Sequence, residues 1–315
     1  MNSIGGYFYI ELRDNSLYHN DAINLNSARN CLEYILLSKN YKHIYIPYYT
    51  CDSILEPIIK HNISYHYYNI DINLEPKKLP LLKNDECFLY TNYFGIKDCY
   101  TQHLYEIYGN NLIIDNAQSF YSKPIKRVDT IYSPRKFFGV SDGGYLYCDK
   151  KLKTNFEQDI SYNRFSHLIK RIELGANAAF SDFRENDESL SNQPIKEMSK
   201  LTKKILASVD YEFIREKRIE NFTFLHNNLK SINKLQIGNI KDFKCPLVYP
   251  LLTDNADLKK KLIENKIYVA TYWPNVLEWC KKDDFEYYLT NQLIALPIDQ
   301  RYGINEMKKI LELIL

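Results

Sequence analysis

No stretch of this sequence stays apolar for the ~20 residues that a bilayer-crossing helix requires, so no such helix is expected. The opening residues, MNSIGGYFYIEL, lack a basic region followed by an apolar one and do not read as a secretory leader. The seven cysteines (Cys31, Cys51, Cys87, Cys99, Cys148, Cys245 and Cys280) form no CxxC pair. Their odd number, without a leader, points to a reducing cytoplasm rather than a disulfide framework. Cysteine and histidine nowhere cluster along the chain, so no metal site is expected. Charge of one sign is also missing: 41 Lys and Arg face 39 Asp and Glu, a formal +2. That balance argues against nucleic acid or an anionic membrane as the main partner. Tyrosine, by contrast, is abundant at 28 residues, but the tyrosines are scattered without a repeat and read as compositional bias.

What is present is the alternation of short strands and helices. Asn26-Ser27 caps a helix over about Ala28 to Ser38. Strands are expected at Tyr7–Leu12 (an edge strand), His43–Pro47, Ser64–Ile70, Cys87–Tyr90 and Leu112–Ile114. Helices are expected at Asp52–His61 and Gln102–Tyr108. Such β-α alternation implies an α/β fold with a mainly parallel sheet covered by helices on both faces. Residues 150–193 read as polar and irregular, with the run Asp182 to Glu188 as a solvated face. One or two long helices follow between Pro194 and Ile232. The remainder alternates strands (Pro246–Leu252, Ile267–Tyr272) with helices (Ala256–Asn265, Ile304–Ile314), an α+β lobe. At 315 residues the chain can hold two lobes: a large domain over residues 1–195, and linking helices with a small C-terminal domain over 196–315.

Two stretches carry chemistry. In VDTIYSPRKFFGVSDGGYLYCD, Val128 to Asp149, a buried strand ends at Ser133-Pro134, because Pro134 cannot donate to a central ladder. Lys136 then sits on a turn before a glycine-containing segment and a new strand from Tyr145 to Cys148. A lysine held beside apolar residues such as Phe137 and Phe138 loses solvation, which lowers an amine's pKa and makes it a usable nucleophile. In LIIDNAQSF, Leu112 to Phe120, a buried strand delivers Asp115 at its C-terminal end, where open α/β sheets place their ligand crevice. An aspartate facing a lysine across such a crevice suits pyridoxal phosphate chemistry. The lysine forms the Schiff base and the carboxylate keeps the pyridine nitrogen protonated.

These stretches together resemble the DegT/DnrJ/EryC1/StrS family of pyridoxal-phosphate sugar aminotransferases, which have the fold-type I aminotransferase architecture. That family shows E-D-x-A-Q/H followed by S-F-x-x-x-K-x-x-x-x-x-E-G-G. Here stand Ile114-Asp115-Asn116-Ala117-Gln118, then Ser133, Lys136 and Asp142-Gly143-Gly144. The lysine-to-diglycine spacing matches, Ser133 stands two residues closer to the lysine, and Asp142 replaces the glutamate. Other segments fall in the family's order: Leu25 to Arg29, Ile44 to Cys51, Tyr67 to Pro76, Thr91 to Gly95 and Ala295 to Ile298.

The resemblance implies an aminotransferase acting on a nucleotide-linked keto-sugar, in surface-polysaccharide or related amino-sugar synthesis, with pyridoxal 5'-phosphate as cofactor. It implies a homodimer whose sites are completed across the interface. Another pyridoxal-phosphate reaction on a similar sugar, or a non-catalytic binding subunit, stays open. Lys136 and Asp115 would be catalytic. Ser27, the N–H of Ala28 and Ser133 would cradle the phosphate, helped by the dipole of the helix that Ser27 caps. Gln118 would meet the ring hydroxyl region. Asn177, in Gly175-Ala176-Asn177, would reach the partner's phosphate, although Ala178-Ala179 lacks the family's aromatic and arginine. Cys51 falls where the family often places an aromatic that stacks on the ring; Tyr49 or Tyr93 could take that role. Arg135, next to Lys136, could meet a phosphate or a carboxylate but reads first as solvated, and Trp273-Pro274 reads as a rigid turn serving either packing or a cleft.

Overall fold

The computed structural model describes residues 4–315. Seven strands form one mixed sheet in the order β1-β7-β6-β5-β4-β2-β3. They are β1 (Ile23–Leu25), β2 (His43–Pro47), β3 (Ser64–Tyr68), β4 (Glu86–Thr91), β5 (Leu112–Asp115), β6 (Asp129–Tyr132) and β7 (Gly144–Tyr147). Strands β3, β2, β4, β5 and β6 run parallel, and β7 is antiparallel to both β6 and β1.

The central parallel strands β4 and β5 are buried along nearly their whole length because both faces are covered, whereas the edge strand β3 is mostly exposed. In β4 and β5, Cys87, Leu89 and Ile113 face the helix α1 (Ala28–Lys39), packing with Cys31, Leu32 and Ile35. Their neighbours Phe88, Tyr90, Leu112 and Ile114 enter the opposite core. That second core also takes Leu104 from α3 (Asp98–Tyr108), which follows the short α2 (Leu55–Lys60) in number.

Residues 150–193 depart from the irregular expectation. They hold α4 (Ser166–Leu174) and α5 (Phe180–Ser189), and α5 is tied down where buried Asn186 donates to the Ser141 carbonyl at 3.0 Å. Two helices then link to the rest, α6 (Lys200–Ala207) and α7 (Tyr211–Leu229). The C-terminal part contains α8 (Leu258–Glu264), α9 (Val276–Trp279), α10 (Phe285–Gln292) and α11 (Ile304–Ile314) around a two-stranded antiparallel sheet, β8 (Val248–Leu252) with β9 (Leu293–Pro297). The strand expected at Ile267–Tyr272 is not formed; only Ala270 bridges Ala295. Strand β9 takes the place beside β8 instead. The edge strand expected at Tyr7–Leu12 is also absent: that segment pairs with no strand and is mostly exposed. Tyr249, Leu251, Ile294 and Leu296 share one core with Phe222 of α7 and Tyr90 of the large sheet, so the small sheet is packed against the large one. No helix among the described residues is long and apolar enough to cross a membrane.

Candidate active site

A cavity of about 280 Å³ opens at the C-terminal ends of β4, β5 and β6. Seven of the eight site residues read from the sequence line it: Ser27, Ala28, Cys51, Asp115, Gln118, Ser133 and Lys136. Asn177 does not. It is exposed and accepts a hydrogen bond from the Tyr268 hydroxyl at 2.8 Å.

One wall is the start of α1. Ser27 is its N-cap, and the Ser27 hydroxyl accepts from the Asn30 N–H at 3.1 Å while donating to Asn30 Oδ1 at 2.6 Å. The first N–H groups of the helix, Ala28 among them, are therefore left for the pocket. The diglycine brings the next strand against this cap. Gly143, at φ +121°, donates its N–H to the Asn26 carbonyl at 2.8 Å. A β-carbon on Gly144 would lie 2.5 Å from the Ser27 carbonyl atoms and 2.8 Å from the Ala28 nitrogen. Asp142, the residue standing for glutamate, is fully buried. It accepts from the Ser199 N–H (2.8 Å), the Ser199 hydroxyl (2.7 Å) and the Thr202 hydroxyl, which fixes the diglycine to the start of α6.

Asp115 ends β5. Its Oδ1 accepts from the Ala117 N–H at 2.8 Å. Burial pushes the carboxyl above the usual carboxylate range, opposed by that N–H and by the charge of Lys136. Gln118 is almost fully buried; its Oε1 accepts from the Phe94 N–H at 2.7 Å, while its Nε2 has no partner. Gly95 makes that approach possible, since a β-carbon there would lie 2.9 Å from the Gln118 carbonyl oxygen. Thr91 Oγ1, also on the cavity wall, is a second buried polar atom without a partner.

Lys136 ends a single 3-10 turn, Pro134–Lys136, that starts just after β6. The desolvated lysine expected from Phe137 and Phe138 is not found. Those two rings are buried behind the turn while Lys136 itself is exposed, with Nζ 5.9 Å from the ring centroids of both Tyr272 and Trp273. Arg135 is not solvated. It lines the cavity, its side chain is 18% exposed, and its Nη2 meets Asp187 Oδ1 at 2.9 Å. Thus the acidic run of α5 contributes one carboxylate to the cavity wall. Tyr49 and Tyr93 do not reach the cavity: both are fully buried, and the Tyr93 hydroxyl donates to the Tyr49 carbonyl. Cys51 does reach it, and Trp273 is the aromatic side chain on its wall. Burial raises the Cys51 pKa, an effect that the nearby Lys136 charge opposes.

Of the readings left open for Trp273 and Arg135, the cavity wall takes the cleft one and the ion pair with Asp187 the carboxylate one. The sequence did not signal Thr91 or Asp187 as site residues, because their placement depends on contacts between distant segments. It also did not signal a grouping of Asp129, Cys148 and Asp149, three potential metal ligands at the far end of β6 and β7; Lys39 pairs there with both carboxylates.

The pocket's contents fit pyridoxal phosphate. A serine-capped helix start and a glycine lie side by side for the phosphate, while a carboxylate, an amine and an orphaned amide donor surround the remaining space.

The architecture is that of the fold-type I aminotransferases. A DegT/DnrJ/EryC1/StrS aminotransferase from Brucella abortus superposes with a TM-score of 0.61 at 13% identity, covering 93% of this chain and 84% of its own. NtdA from Bacillus subtilis, solved with bound cofactor PMP, gives 0.64 at 14% identity, with 93% and 73% covered. DesI, solved in the presence of its TDP-sugar product, gives 0.63 at 11% identity, with 93% and 79% covered. At such identities the likeness is one of fold. No family model matches the sequence, and no curated protein matches it.

The tight contact at the diglycine gives a direct test. Gly144→Ala forces a methyl into the Ser27 backbone, and overpacking of that kind costs roughly 1–3 kcal/mol. The expected result is a lowered thermal midpoint together with weakened binding of pyridoxal phosphate, measured by calorimetry and by titration. A variant unchanged in both would show that the cap and the strand can move apart freely.

Proposed function

We propose that this protein is a pyridoxal-phosphate-dependent aminotransferase acting on a nucleotide-linked keto-sugar. The observation that carries the reading is the convergence of Asp115, Gln118, Ser133, Lys136 and the Ser27-capped helix start on one cavity. The fold likeness to aminotransferases, one of them solved with a TDP-sugar, supports the substrate class. Amino-sugar synthesis for surface polysaccharides is the setting this chemistry fits, in a large domain over residues 1–195 and a smaller one over 196–315.

Each residue has a definite task. The Ala28 N–H, the Ser133 hydroxyl and the Ser27 hydroxyl, which would turn its O–H from Asn30 Oδ1 to the ligand, would bind the phosphate, where the helix dipole favours an anion. Asp115 holds a proton on the pyridine nitrogen, and its raised pKa makes it share that proton closely. The orphaned Gln118 Nε2 donates to the ring hydroxyl. Cys51 offers a small, polarizable surface to the ring. Bound pyridoxal phosphate supplies the electron-accepting ring on which amino groups are exchanged. Lys136 Nζ would hold the cofactor and, when free, would move a proton to or from the reacting carbon of the substrate. The exposure of Lys136 to the open cavity suits an amine that must alternate between these roles.

The purified protein is expected to absorb near the visible, and borohydride should fix the cofactor to Lys136, as read by peptide mass spectrometry. Label on another lysine, or no chromophore after reconstitution, ends the assignment; a Lys136→Ala protein should carry no borohydride-fixed label.

Asp115→Asn separates chemistry from binding. It should keep the covalently bound chromophore, because the amine and the phosphate cradle are untouched. Turnover should fall by a factor of about 100 or more, the scale seen when an electrostatic stabiliser is removed. Near-normal transamination by this variant would contradict the role given to Asp115.

We further propose a homodimer, the commonest closed assembly. Sedimentation at micromolar concentration should report twice the 37.4 kDa chain mass. A monomer that stays fully active on dilution would exclude a shared site.

A further inference from the structure

A phosphate monoester brings a charge of about −1.5 to −2 at neutral pH. A helix start offers roughly half a positive charge, so the cradle described above leaves most of that charge unbalanced. Three cationic side chains line the cavity: Arg29, Arg135 and Lys136. Lys136 is taken by the covalent link. Arg29 is engaged away from the cradle, with its Nε 3.0 Å from Glu56 and its Nη1 donating to the Leu190 carbonyl at 2.6 Å.

Arg135 differs from both. It stands two residues beyond Ser133, on the turn whose Pro134 ring would lie 2.9 Å from a β-carbon on Gly143. Gly143 in turn bridges Ser27. Arg135 is thereby anchored beside all the cradle elements. Its Nη2 pairs with Asp187, but its Nε is buried without any partner. Asp187 is a weak competitor: its side chain is 61% exposed, so water can replace the pair at little cost.

We propose that Arg135 supplies the counter-charge for the cofactor phosphate from within the same chain, with Asp187 as the displaceable partner that holds the guanidinium in place when the phosphate is absent. This rests on the cofactor reading above. A guanidinium presents its donors as a planar fork that matches phosphate oxygens, which is the geometry such a contact requires.

The test compares two ligands with the same ring, pyridoxal phosphate and unphosphorylated pyridoxal. Each is titrated at equilibrium into full-length protein freed of cofactor, with binding followed by absorbance. In Arg135→Ala, affinity for pyridoxal phosphate should fall about 10- to 100-fold, the scale of a lost charge-assisted hydrogen bond. Affinity for pyridoxal should stay within about twofold, and inorganic phosphate should compete less well. Arg135→Gln, similar in length, should show the same loss of preference should the alanine variant fold poorly. Asp187→Asn should bind pyridoxal phosphate at least as tightly as the native protein, since it removes a competing carboxylate. An equal fall for both ligands, an unchanged ratio, or weaker binding in Asp187→Asn overturns the inference. A native protein that binds neither ligand overturns the cofactor reading itself and this inference with it. Native binding with an unaltered ratio in both Arg135 variants overturns this inference alone.

Discussion

No β-carbon fits between the first residue of β7 and the N-cap of α1, and the rest of the site depends on that contact. The strand that follows the lysine turn is pressed against Ser27 at Gly144 and hydrogen-bonded to Asn26 at Gly143. Because β7 pairs antiparallel with β6, this fixes the start of α1 relative to the strand from which the lysine turn departs. Asp142 closes the arrangement from behind by accepting three hydrogen bonds from Ser199 and Thr202. Helix start, diglycine and turn are therefore held against one another. The phosphate site proposed for these N–H groups would need such rigidity, since its donors have no side-chain freedom with which to correct an error of position.

How far each buried polar group is satisfied separates scaffold from site. Asp142 and Asp115 both end near the cavity. Asp142 has its oxygens occupied by three donors, which marks it as a structural acceptor. Asp115 has one bond, to Ala117, and a carboxyl pushed upward by burial. Gln118 is likewise half satisfied: its carbonyl oxygen is used by Phe94 and its amide nitrogen by nothing. Leaving a buried donor unpaired costs on the order of 1–3 kcal/mol. Three such donors on residues lining one cavity, Gln118 Nε2, Thr91 Oγ1 and Arg135 Nε, are most simply explained by a polar ligand that pairs with them.

Local pattern made the parallel strands, the Ser27 cap and the Asp115 and Lys136 positions readable. Each is announced by a short apolar run ending in a polar residue or a turn former. What escaped reading has a common cause in long-range contact. Strand β1 has only three residues and exists because β7 lies beside it. Helix α5 is polar, yet it is held by Asn186 and by the Arg135–Asp187 pair, which join segments about fifty residues apart. The stretch Ile267–Tyr272 has the composition of a strand, but β9 occupies the neighbouring position on β8. The desolvated lysine was a reading of sequence neighbours; in three dimensions Phe137 and Phe138 turn into the core while Lys136 turns outward.

The shortened link between Ser133 and Lys136 still brings both residues to one cavity. A 3-10 turn advances ~2 Å per residue and completes a turn in about three. Beginning at Ser133, that single turn is enough to carry Lys136 over the ends of β5 and β6, so both Ser133 and Lys136 still line the cavity. Pro134 makes the short form workable, because its fixed φ suits the first position of such a turn and its missing N–H would have no partner there. Fold likeness at 11–14% identity does not by itself carry an activity. The chemistry proposed for this chain follows instead from its own solution: a different spacing, closed by a proline, that brings the Lys136 amine to the same cavity as the Asp115 carboxylate.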